Sequence, residues 1–574
     1  MKKIFPVLAV GALALSMAAC GTTTNNTTTT TPPPASGSPS GSATAGAAAA
    51  WDVNETPYAQ VKQGGTFTGQ YNEQFSTFNM NNVNGNNSDQ VLALSPVNPV
   101  FLFSDGAGNT TPNPDYIASV DNSINANGQL VIDMKMNPKA SWNDGSPITV
   151  DDWAATIHAM SGDDADFQAA SNDGYDQVES VTQGADASEV IFTFKTTYPD
   201  WIGVIQYGPM PAAACKDAAT FNDGWATQPL AWQSGPYMIQ SFDATTGDLV
   251  EVPNPKWWGD APRLDKITWK LISDQTAQIQ AFANGEINYL DLGISADSYS
   301  QAKATPNSVI RVAEGPNFRQ FTFNSKSPIL ADQTVRQAIV MGLDRSQIAA
   351  SDLAGLPIDP QPLNNNIFMP VQDGYVDLGQ ATGIDYNPDK AKQLLEGDGW
   401  TMGSNGYYTK NGQELDVKFA QLSGVAAAAN EYTQAQAMLK QIGVNFINQP
   451  VDSSTDFPGV MVDGRFDVIA FSWMGTPFPL MNVSQIYGTG SDSNFAQLTI
   501  PTVDNNQQAL ATTMDTAARL KIGQDDAQAI WESVHTLPLY QRPELIACTS
   551  NLANMGAFGM SRQPYNWVTV GYTS

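Results

Sequence analysis

The 574-residue chain carries 56 acidic and 27 basic residues, a net charge of −29, which argues against nucleic acid or anionic lipid as a partner. Its length exceeds the roughly 250–300 residues at which one core stops growing, so at least two domains are expected. Hydrophobic residues at 42% can fill such cores, while charged residues, at 14%, are few.

At the N-terminus, Lys2 and Lys3 precede an apolar run from about Ile4 to Leu15, and small residues lead up to Cys20. That pattern is a secretory signal whose core is too short to span a bilayer. The residues before Cys20 are similar to a bacterial lipobox, with Met17 in place of the usual leucine, and imply lipidation of Cys20 after cleavage. Plain secretion with an incidental cysteine is the alternative. Residues 1–20 therefore read as a lipoprotein signal peptide. Residues 21–50, rich in Thr, Pro, Ser, Gly and Ala, read as a disordered tether. Cys215 and Cys548 lack zinc-type spacing, and either a disulfide or two buried thiols suits an exported protein.

The folded part opens at Gly64–Gly69 with a short strand that leaves Tyr71, Asn72, Glu73 and Phe75 at its end. Leu130, Ile132, Met134 and Met136 alternate as a half-buried strand. Asn143-Asp144-Gly145 is a turn signal, and Thr149 with Asp152 resembles a capping box. Trp153, Ile157 and Met160 then share one helical face. Val190, Phe192 and Phe194 mark a second strand.

Leu264–Leu271 alternates, Asp274 caps a helix ended by Gly285, and Ile287–Leu290 follows, which reads as a βαβ unit. Asp332 begins a helix with Val335, Ala338, Ile339 and Leu343 inward. Asn387-Pro388 is an N-cap with proline at the first helical position. Leu415, Val417 and Phe419 form a strand, Glu431–Ile442 a helix, Val444–Ile447 a strand and Phe466–Phe471 an apolar strand leading to Trp473. A second βαβ core is expected there.

Five blocks resemble the family 5 extracellular solute-binding proteins, the peptide- and nickel-type receptors of ABC importers. They are Ser141–Asp152; Ser234-Gly235-Pro236-Tyr237 with Asn254–Gly259; Phe282–Asn288; Val335–Ile339 with Leu343-Asp344-Arg345; and Tyr386–Leu395. The resemblance runs over about residues 64–572. It implies an α/β, two-lobed, type II periplasmic-binding-protein-like fold with an extra inserted domain. The expected parts are lobe I from 60–100, 229–315 and 545–574, an inserted domain over 101–228, and lobe III over 316–544.

It also implies a cleft lined by Tyr71, Asn72, Glu73, Trp232, Phe318, Arg319, Phe321, Trp473 and Thr476. Peptide receptors of this family often carry an aspartate three residues after the tryptophan, where it meets the peptide's ammonium group. Here that position is the neutral Thr476, so Glu73 or a ligand without that ammonium is expected. The partners implied are a peptide or other small polar ligand and the importer's permease subunits, with the membrane reached through the lipid anchor. A non-peptide solute such as a glycan, or a regulatory role in envelope synthesis, remains open. No cofactor is expected. With only His158 and His535, and no nucleophile elbow, P-loop or HExxH, neither an enzyme nor a nickel site is expected.

Overall fold

The computed structural model describes residues 49–452 and 456–573. Cys20, the expected signal peptide over 1–20 and nearly all of the expected tether over 21–50 lie outside the described residues. The chain enters on β1 (Thr66–Tyr71) and leaves for four antiparallel strands, β2 (Ile117–Ile124), β3 (Leu130–Met136), β4 (Val178–Gln183) and β5 (Glu189–Phe194). Their order is β2-β3-β5-β4, and helix α1 (Val150–Met160) intervenes between β3 and β4. The chain then returns through β6 (Tyr237–Phe242), β7 (Leu249–Pro253) and β8 (Lys266–Leu271), completing a sheet of order β1-β8-β7-β6 with β8 parallel to β1.

Helix α1 starts where alternation stops. The Thr149 amide donates to Asp152 Oδ2 at 2.8 Å in a capping box, and Trp153, Ile157 and Met160 are buried. Asp152 also accepts from the Trp142 indole at 3.3 Å and the Ala212 amide at 2.8 Å. Its carboxylate is thus spent on holding the turn.

Next come α2 (Gln275–Ala283), β9 (Tyr289–Asp291), the 16-residue β10 (Ser308–Phe323), α3 (Gln333–Met341), α4 (Arg345–Asp352) and α5 (Pro388–Gly397). The chain continues through β11 (Asp416–Leu422), α6 (Ala426–Gln441), β12 (Asn445–Val451), β13 (Val468–Met474), α7 (Thr516–Ser533) and β14 (Thr536–Thr549). The six strands among these form one sheet of order β9-β14-β10-β13-β11-β12. β11 and β12 are parallel across α6, so the second expected βαβ unit is present.

The first is not. β9 pairs antiparallel with β14, and α2 therefore connects two different sheets. Asn288 merely touches β1, its amide donating to Thr68 O at 2.7 Å and its Oδ1 accepting from Thr68 N at 2.9 Å. β13 also runs further than expected, to Met474, and takes Trp473 into the ladder.

β10 and β14 pass from one core to the other. Val309, Ala313, Ile546 and Cys548 pack with Phe67, Tyr237 and Trp269. Phe321, Phe323, Leu537 and Leu539 pack with Ile339, Phe419 and Ile530. At about 3.3 Å per residue, β10 spans roughly 50 Å, enough to belong to both. The pairing of β10 with β14 loses register between Glu314 and Phe318, where the chain crosses between the cores. Cys548 and Cys215 are buried free thiols in separate clusters, so no disulfide joins them.

Candidate ligand-binding site

The last sheet's module and the inserted module touch across the crossing strands. Arg519 of α7 makes a two-pronged ion pair with Asp200, and Met514 packs on the core of the inserted module. The loop after β13 adds two close approaches: Pro477 lies against Gly108 and Phe478 against Gly203. β10 and β14, the strands that pass between the two cores, carry other side chains of the candidate site.

One group of these side chains is apolar. Phe318 stands opposite Trp473 in the β10–β13 ladder and clusters with Leu363, Met369 and Met560. Trp473 is half-buried, stacked on Phe495 at 5.9 Å and 9°, while Met474 beside it is exposed. Thr476 is half-buried; its carbonyl accepts from Gln372 at 2.8 Å and its hydroxyl from the Phe478 amide at 3.2 Å.

A second group is charged. Arg319 binds both oxygens of Glu431 on α6, at 2.5 and 2.7 Å. Burial opposes the Arg319 charge, but Glu431 outweighs it and holds the guanidinium above its ordinary pKa. Beside this pair, the Tyr540 hydroxyl donates to Asp352 at 2.9 Å. Burial, reinforced by the Glu431 charge, pushes Asp352 up to about 7. Further along β14, burial lifts Glu544 to about 8 although the Gly559 amide donates to it at 2.7 Å. Burial raises Asp291, which keeps exposed surface. Arg542 lies between Tyr540 and Glu544 on the same strand.

Residues 71–73 approach this acidic row. The Asn72 amide donates to Asp89 at 2.8 Å, its Oδ1 accepts from Gln278 at 2.5 Å, and Glu73 is exposed. Two open hollows elsewhere, of about 340 and 470 Å³, are lined by none of Phe318, Trp473 or Arg542.

The family model described as bacterial extracellular solute-binding proteins, family 5 Middle, matches residues 111–495. The oligopeptide-binding protein OppA of Mycobacterium tuberculosis is 33% identical over 532 residues, 92% of this chain and 88% of its own. The chain belongs to the family 5 extracellular solute-binding proteins. An uncharacterized lipoprotein of Mycobacterium leprae is 26% identical over 479 residues, covering 76% of this chain and 80% of that one. Among solved structures, the periplasmic EDTA-binding protein EppA superposes with a TM-score of 0.82 at 22% identity, over 93% of this chain and all of its own. That likeness gives the type II, two-lobed α/β fold.

This solute-binding protein is a receptor of an ABC transport system and not an enzyme. His535 is buried against Asn494 at 2.9 Å and burial lowers it to about 3; His158 is exposed beside Phe167. Among the described residues no group of three or more His, Cys, Asp or Glu could hold a metal, and no helix is long and apolar enough to cross a membrane.

Of the nine expected lining residues, the structure brings Phe318, Trp473 and Thr476 together on the apolar side. Two need correction. Tyr71 is fully buried, its hydroxyl donating to Gly247 O and its ring packed on Phe75; Phe321 is fully buried against Phe419. Neither has surface to offer a ligand. Arg319 faces the charged side, already paired. Trp232 packs half-buried on the inserted module, 6.0 Å from Trp225, apart from both. Asp291, Asp352, Arg542 and Glu544, the charged side chains near Arg319 and Glu431, are not among the nine expected residues. The alternation of Tyr540, Arg542 and Glu544 inside an apolar C-terminal strand was the available signal.

Proposed function

We propose that this receptor captures peptides outside the cell membrane and delivers them, by closure of its lobes, to the permease of an ABC importer. The 33% identity to OppA over 92% of the chain carries the peptide reading. The Asp200–Arg519 contact supports closure, a hinge motion about β10 and β14. In this reading lobe I comprises 60–100, 229–315 and 545–574, the inserted domain 101–228, and lobe III 316–544. Asn72, Glu73, Trp473 and Thr476 line the cleft, with Phe318 buried beside Trp473. Lipidation at Cys20 and a tether over 21–50 hold the receptor at the membrane, in keeping with the lipoprotein name of the M. leprae relative.

The test is a thermal-shift screen of the mature protein against short peptide mixtures, with mass spectrometry of whatever co-purifies. A peptide that raises the melting point by mass action supports the reading. A shift with sugars and none with peptides overturns it. The neutral Thr476 favours that second reading, a non-peptide solute, because an ammonium group buried without a counter-charge is costly. For the anchor, palmitate label that persists in Cys20→Ser would remove lipidation at that residue.

A further inference from the structure

Residues Ala49–Asn54 lie as a strap on β10 just before it crosses between the cores. Ala49 bridges the fully buried Ala313, and its carbonyl accepts from the Glu314 amide at 3.0 Å. Asp52 pairs with Arg311 at 3.0 Å and accepts from the Val312 amide at 3.0 Å. On the other side Asp52 and Val53 pair with Ala557 and Gly556, and the Asn54 side chain donates to Leu552 O at 2.9 Å. The register of β10 against β14 is lost directly after Glu314, so the strap grips the stretch that leads into the crossing.

The same strap backs a hairpin of the inserted module, Leu102–Ser104 with Thr110–Pro112. Ala50 O sits between Gly106 in the hairpin loop and Gly559. A Cβ on Gly106 would stand 2.6 Å from that oxygen, and one on Gly559 would overlap it. Trp51 meets Tyr565 edge-on at 6.1 Å, and Tyr565 stacks on Phe103 at 4.7 Å, its hydroxyl 3.2 Å from that of Thr111. The Met560 amide donates to Gly106 O at 3.0 Å. Asp105 tightens the loop by accepting from the Ala107 and Asn109 amides at 3.0 and 2.9 Å.

The loop so held is the one that reaches the other module. A Cβ on Gly108 would stand 3.0 Å from Pro477 Cα, in the loop after β13. From Ala50 through Gly106 to Gly108 and Pro477 the contacts run through main chain and a proline ring, which cannot swing aside as a long side chain can. A shift of the strap is therefore passed on to the Gly108–Pro477 contact.

We propose that Ala49–Asn54 is a conformational latch. Docked, it sets the Gly108 turn against Pro477 and biases the lobes toward the closed form. Detached, it frees the turn and lets the lobes part. This rests on the lobe closure proposed above, and the Asp200→Asn arm below separates the two.

The experiment is double electron–electron resonance on the mature protein with no ligand added. Spin labels sit at Ser123→Cys on the inserted module and Ala437→Cys on α6, both exposed, in a Cys20→Ser background; Cys215 and Cys548 are buried. Hydrogen exchange of the Val312 and Glu314 amides reports whether the strap is docked. The double variant W51A/D52A should speed that exchange and raise the ratio of long to short label distances roughly fivefold or more. D52N should speed it less and raise the ratio less. Asp200→Asn should raise the ratio and leave the exchange of these two amides as it is. Wild-type distances in the strap variants overturn the latch. If Asp200→Asn still lengthens them, lobe closure stands; if it does not, both fall. Should W51A/D52A fail to fold, D52N decides: distances equal to those of the wild type overturn the proposal.

Discussion

Arg519 and Asp200, 319 residues apart in sequence, form a two-pronged ion pair that joins helix α7 to the inserted module, with both side chains largely shielded from water. Arg519 Nη1 lies 2.7 Å from Asp200 Oδ1, and its Nε also donates to Leu510 O at 2.9 Å. In the proposed reading of lobe closure, the pair bridges the two sides that come together and stabilises the closed form. Asp200→Asn should therefore speed ligand release and enlarge the radius of gyration of the protein, with little change in secondary structure. Stopped-flow dissociation and small-angle scattering read both. Release rates equal to the wild type would mean that the pair does not help to hold the lobes shut.

The Arg319–Glu431 pair behaves differently because both residues belong to the module of the six-stranded sheet. Glu431 is fully buried on α6, and its removal strands a guanidinium on the neighbouring strand. Glu431→Gln should cost about 3–5 kcal/mol of unfolding free energy, as expected when one partner of a buried pair is lost. Replacing both by apolar residues of similar volume should cost far less. Urea unfolding of the two variants checks this. Should Glu431→Gln unfold like the wild type, the pair is not structural and Arg319 returns to the list of ligand-contacting residues.

Those two pairs also mark where sequence reasoning reaches its limit. The Thr149–Asp152 box, the Asp274 cap and the Asn387-Pro388 start are legible because cap and helix lie within a few residues of each other. Strand alternation in Leu130–Met136 is legible for the same local reason. Arg319 reads as a cleft residue because its partner stands 112 residues away on another element. Tyr71 and Phe321 read as cleft aromatics because strand-end position does not reveal whether a neighbouring layer covers them. The mistaken first βαβ unit has a similar origin: the pattern places β9 after α2, but its sheet is chosen by β14, more than 240 residues on.

Proton binding gives a signed prediction. Burial raises Glu544 from 4.5 to about 8 and Asp352 from 3.8 to about 7, so the folded protein holds these protons more tightly than the unfolded chain. Their contribution to stability is complete below about pH 4 and is lost as pH rises towards 7 and 8. His535 acts oppositely. Lowered from 6.5 to about 3, it contributes fully above pH 6.5 and loses that contribution as pH falls towards 3. Urea midpoints should therefore decline from about pH 6 to 8, and Glu544→Gln should flatten that decline while keeping the acid side. An unchanged slope in Glu544→Gln would show that the Glu544 carboxyl is ionised in the fold.

The crossing strands can be tested through two glycines. At Gly315 a Cβ would lie 2.4 Å from Arg542 O and 3.3 Å from Glu544 N, both backbone atoms of β14 that cannot swing aside. Gly315→Ala should separate the strands and cost about 1–3 kcal/mol, in the range of other overpacked sites. Gly397, at the end of α5, has nothing within 4 Å of the added carbon and no left-handed backbone. There alanine should stabilise by roughly 0.5–1 kcal/mol, since it loses less freedom on entering a helix. Because β10 and β14 join the two cores, Gly315→Ala should weaken ligand binding as well, whereas Gly397→Ala should leave it alone. Denaturant unfolding and calorimetry on the two variants measure these effects side by side. Equal behaviour of the two glycines would mean that the crossing has slack enough to absorb a methyl group.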